Sequence, residues 1–101
     1  MTQLYLREQD KQRLLALLNQ YLPHVKAWAY GSRVKGQAHE ASDLDIALRA
    51  PDLRPINVSD LSRFQEALTN SNIPILIDVR EWSKLPSSFH QEIQKNHIEL
   101  S

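Results

Sequence analysis

The chain has 101 residues, 42% of them hydrophobic, with 12 basic and 12 acidic side chains and no cysteine. That length supports one modest core and reads as a single domain over residues 1–101. The balanced charge argues against a long polyanion as partner, the missing cysteines exclude disulfides and thiolate metal sites, and no stretch approaches the roughly 20 apolar residues of a membrane span.

The first residues, MTQLYLREQDKQ, turn charged too early for a secretory signal, which fits a cytoplasmic protein. Residues 8 to 21 read as a helix. Leu14, Leu15, Leu17, Leu18 and Tyr21 recur at three- and four-residue spacing, and Glu8, Asp10, Lys11, Arg13 and Gln20 take the wet side. Pro23 stops it. Residues 25 to 30 read as a strand with Ala27 and Ala29 on one face and Trp28 and Tyr30 on the other. A short helical turn is expected over 32 to 36 and a polar loop over 37 to 42. Residues 44 to 49 form a second strand, ended by Ala50-Pro51, and 55 to 58 form a linker. Ser59 reads as the cap of a helix to about Thr69 carrying Leu61, Phe64, Ala67 and Leu68. Residues 74 to 80, nearly continuous in apolar side chains, read as a third strand buried on both faces. Ser87 or Ser88 caps a last helix with Phe89 and Ile93 inward. The alternation of helices and strands argues a layered α/β or α+β domain.

The chemistry concentrates in residues 31 to 45. Gly31-Ser32-Arg33 follows the first strand, ten residues separate Ser32 from Asp43, and Asp45 follows with Leu44 between. Residues i and i+2 of a strand point the same way, so Asp43 and Asp45 share a face about 6.5–7 Å apart along the chain. Leu44, Ile46 and Leu48 provide apolar packing around them. Two carboxylates held that close repel unless a cation lies between them, and Mg²⁺ accepts carboxylate and phosphate oxygens together. An isolated Asp-x-Asp is more often a solvated strand end; the glycine-serine turn upstream reverses that reading. A strand, a glycine and a short helix present free backbone N–H groups to an anion, and Gly31 allows phosphates close to the backbone. Ser32 adds a hydroxyl, and Ser42 belongs with the same nucleotide-binding set. Arg33 reads equally as a phosphate partner or a surface charge, and Gly36 as the exit from the short helix. Asp78 stands between Ile77 and Val79, where a carboxylate needs a partner. It is either satisfied by Arg80 or the backbone, or it is the third acid of a two-metal site, serving as base for an incoming hydroxyl. His24, His39, His90 and His97 lack metal-site spacing and read as surface residues; Trp28 reads as core, and Trp82 as core cover or partner surface.

The combination Gly31-Ser32, ten residues, Asp43-x-Asp45 and a later strand Asp resembles the active-site signature of the polymerase-beta-type nucleotidyltransferase superfamily. The string AYGSRVKGQAHEASDLDIAL resembles its smallest branch, the minimal nucleotidyltransferase (MNT) domains, and the likeness runs from about residue 8 to 100. It implies a short mixed sheet covered by helices. For Gly31 and Asp43 to share a ligand, the first two strands run antiparallel. With Asp78 placed late in the third strand, that strand is expected to run against the second. The resemblance also implies ATP as substrate, two Mg²⁺ ions, and a HEPN-domain toxin as partner in a hetero-oligomer. Active MNT domains transfer AMP to a tyrosine of that ribonuclease and so act as its antitoxin. The alternatives are an antitoxin that blocks by binding alone, and a small-molecule nucleotidyltransferase relying on a separate acceptor subunit. Either way the acceptor surface comes from another molecule, and Trp82 and Leu85 are placed at the rim facing it.

Overall fold

A computed structural model describes residues 6–31 and 43–101. Its elements are helix α1 (Glu8–Tyr21), strands β1 (Lys26–Tyr30) and β2 (Leu44–Arg49), helix α2 (Val58–Thr69), strand β3 (Ile77–Glu81), helix α3 (Ser87–Lys95) and a two-residue strand β4 (Ile98–Glu99). Single 3₁₀ turns cover Pro51–Leu53 and Trp82–Lys84.

The four strands form one mixed sheet in the order β3-β2-β1-β4. β1 runs antiparallel to both β2 and β4, whereas β2 and β3 are parallel. Strict alternation along the strands sorts the side chains. Ala27 and Ala29 of β1 and Leu44, Ile46 and Leu48 of β2 face one way, into a core with Leu14, Leu18 and Leu22 of the α1 region and Phe64 of α2. Trp28 and Ala47 face the other way, into a second cluster with Trp82, Leu85 and Ile93. Helices α1 and α2 therefore cover one face, while among the described residues α3 and the turn before it cover only part of the other. The remaining part of that face carries the acids.

Several expectations need correcting. β3 runs with β2, not against it. The expected direction rested on starting the strand at Pro74, which placed Asp78 near its end; pairing begins only at Ile77, after the Leu44 amide donates to the Leu76 carbonyl at 2.9 Å. Asp78 is thus an opening residue, and the chain returns through α2, the long crossover that parallel strands require. β3 is also an edge strand with half-buried side chains, and Leu76 beside it is exposed. Asn57, not Ser59, caps α2, accepting from the Asp60 amide at 3.1 Å. Pro86 precedes α3 with no side-chain cap, and Phe89 is exposed while Ile93 is buried. Asp10 is buried rather than wet, because Arg7 folds over the first turn of α1 to hold its carboxylate at 2.9 Å. β4 is too short to leave a periodic signal.

Candidate active site

The site stands on that second face, at the end of the sheet where β1 finishes and β2 and β3 begin. Tyr30 of β1 pairs in register with Asp45 of β2, and Asp45 pairs in register with Asp78 of β3. Three adjacent strands thus place a phenol and two carboxylates side by side. Asp43, exposed, lies just ahead of β2.

Gly31 follows Tyr30 with φ +84, a conformation that a side chain strains to adopt. A Cβ at Gly31 would overlap the Asp45 Oδ2 and lie 3.4 Å from its Cγ. The glycine therefore lets the turn close directly on the Asp45 carboxylate. The sequence reading assigned its small size to ligand approach; the structure shows the neighbour that already requires it.

The electrostatics record the crowding. Burial first, then Asp78 and then Asp43 raise the Asp45 carboxyl above its ordinary range, against a smaller opposing pull from Arg80. Burial, then Asp45 and then Asp78 raise the Tyr30 phenol, against a smaller pull from Arg80. Arg80 answers Asp78: its Nε and Nη2 donate to the two carboxylate oxygens at 3.4 and 3.3 Å, and this hydrogen bonding raises the guanidinium further. Among the described residues no three acidic or imidazole groups surround one cation position, since Asp78 is turned to Arg80. The donor set nevertheless fits a hard divalent cation. It consists of carboxylate oxygens, and the repulsion that Asp78 and Asp43 exert on Asp45 is what a cation would relieve.

The chain as a whole has known counterparts. The chain matches the polymerase beta nucleotidyltransferase family over residues 12–101. It belongs to that family. A probable protein adenylyltransferase, MntA, of Haemophilus influenzae is 31% identical over 96 residues, covering 95% of this chain and 82% of the relative. The fold also matches the crystal structure of a toxin–antitoxin with AMP-PNP, at a TM-score of 0.72 and 20% identity, covering 90% of this chain and 72% of that one.

Within this nucleotidyltransferase, the structure brings together Gly31, Asp45 and Asp78, with Asp43 beside them. Ser32, Arg33 and Ser42 lie outside the described residues, as do Gly36 and His39. Trp82 and Leu85, expected at a rim, are buried in the second cluster. His90 and His97, expected on the surface, stack on Trp82 and Trp28 at ring separations of 4.1 and 3.9 Å. The sequence reading gave Tyr30 no role at the site. Its signal was present: the strand alternation that sends Ala29 into the core sends Tyr30 to the acids.

Proposed function

We propose that this chain, acting as one domain in the cytoplasm, transfers AMP from ATP to a tyrosine hydroxyl of a HEPN-type toxin and so serves as its antitoxin. The observation that carries the reading is the alignment of Tyr30, Asp45 and Asp78 across three strands, with Gly31 closed against Asp45. The H. influenzae adenylyltransferase supports the acceptor class, and the toxin–antitoxin relative supports the kind of complex.

Asp43, Asp45 and Asp78 would hold Mg²⁺, two ions in the full site. When bound, the metal neutralises the triphosphate and the departing pyrophosphate. By their place in the sequence, Gly31, Ser32, Arg33 and Ser42 would bind the phosphates of the nucleotide. Asp78 takes the proton of the incoming hydroxyl. That oxygen bonds to the α-phosphorus, the bond from the α-phosphorus to the bridging oxygen breaks, and pyrophosphate leaves. For Asp78 to serve, Arg80 must release it, and the phosphates offer Arg80 another partner.

The test is to incubate the chain with labelled ATP, Mg²⁺ and the product of the adjacent gene. Label should appear on that protein, at tyrosine, in AMP-sized mass increments. The Asp43→Asn/Asp45→Asn double variant should transfer none. Label on RNA or on a small molecule, with the protein unlabelled, refutes the antitoxin reaction. Undiminished toxin neutralisation by the double variant would make the action steric.

A further inference from the structure

The sheet carries a second like-charge pair at the end opposite the acids. Lys26, the first residue of β1, stands directly across from Arg49, the last residue of β2. Like charges facing each other across strands are unfavourable unless something of opposite charge joins them. The ion pairs among the described residues are Arg7–Asp10, Arg80–Asp78 and Lys84–Glu81, and none involves Lys26 or Arg49. The Arg49 Nε is buried without a hydrogen-bond partner.

Arg49 is held firmly all the same. Its guanidinium lies 3.9 Å from the Trp28 ring centre and 4.5 Å from that of Trp82, and the two indoles meet edge to face at 5.6 Å. His97 and His90 stack on these rings and are tied by ring nitrogens to the carbonyls of Ile93 and Trp82. An arginine fixed in this way loses little side-chain freedom on meeting an anion. It lines an open cleft of about 710 Å³ together with Lys26, His24 and Trp28; Pro51 and the exposed Leu53 supply apolar wall, and Glu99 is the one acidic side chain in the lining.

We infer that this cleft docks an acidic segment of a partner protein, with its carboxylates on Arg49 and Lys26 and its apolar side chains on Pro51 and Leu53. The mixed lining selects that occupant over a free phosphate. A bare anion satisfies the cations and leaves the exposed Pro51 and Leu53 side chains in water, whereas a peptide covers both. The inference stands apart from the transfer reaction, since it uses the other end of the sheet.

Trp28 and Trp82 are the protein's two tryptophans, and both touch Arg49, so their emission reports the cleft. The full chain, in chelator, is titrated with a capped peptide of alternating glutamate and leucine. A saturable emission change is expected. Lys26→Gln should weaken it by about tenfold or more, and so should Arg49→Lys, which keeps the charge but loses the planar fork. Circular dichroism checks that both variants remain folded. No saturable change with the peptide, or equal affinity in folded Lys26→Gln, overturns the proposal. Inorganic phosphate binding as tightly as the peptide also overturns it, assigning the cleft to free anions. Calorimetry of Mg²⁺-ATP on Lys26→Gln, expected to match wild type, reads the other end of the sheet and separates failure there from failure here.

Discussion

Asp45 concentrates the tension of the site. Its carboxyl is raised by burial and by Asp78 and Asp43, so the folded chain binds that proton more tightly than the unfolded chain does. Such a group adds stability below the unfolded carboxylate range, and the contribution disappears as the pH rises through the folded value. Thermal unfolding in chelator from about pH 3 to about pH 7 should show this in the Asp45→Asn variant, which has no such proton. Its stability relative to wild type should grow across that range, leaving the variant the more stable at neutral pH. A variant less stable than wild type at neutral pH would mean that the carboxylate is held by favourable contacts instead. At this scale the short spacing in the sequence pointed to Gly31 and Asp45 lying close together, and the structure has the glycine turned against the Asp45 carboxylate. The sequence was less informative about Asp78, whose two readings both have a counterpart in the structure: the carboxylate is bonded to Arg80, and it also stands in register with Asp45.

At the scale of elements, α1 and β2 have the bounds expected from the sequence, since a helical stripe of leucines and an alternating strand are local patterns. Strand direction is not local. It depends on where pairing starts and on which side α2 returns the chain, and the apolar run from Pro74 obscured the first of these. Nor does a local pattern reveal Glu81, which is 6% exposed at the end of β3. Its carboxylate accepts from the Ile56 amide at 3.2 Å and pairs with Lys84 at 3.4 Å, fastening the segment that leads into α2. Glu81→Ala leaves that buried amide without its partner, and urea unfolding should show a loss of about 1–3 kcal/mol. Glu81→Gln, which keeps an acceptor, should lose less. Equal losses would place the contribution in the charge and not in the hydrogen bond.

Across the whole molecule, a formal net charge of zero conceals a polarised surface. One sheet face carries Asp45 and Asp78 at one end and Lys26 and Arg49 at the other. A ligand that binds the folded chain alone stabilises it by mass action, by about 2.7 kcal/mol at a hundredfold excess over its dissociation constant. Mn²⁺ or Mg²⁺ without nucleotide should therefore raise the melting temperature of wild type and leave Asp45→Asn unmoved. An equal rise in both would place the ion elsewhere.

The parallel pairing of β2 with β3 also sets an order of events during synthesis. Gly31, Asp43 and Asp45 emerge from the ribosome well before Asp78, and β2 must wait for the whole crossover before its second edge is closed. Until then the nascent chain presents an unpaired edge on a strand whose Leu44, Ile46 and Leu48 are otherwise fully buried, a template for pairing with other chains. The closing of that edge is therefore a late event in synthesis, set by the strand order itself.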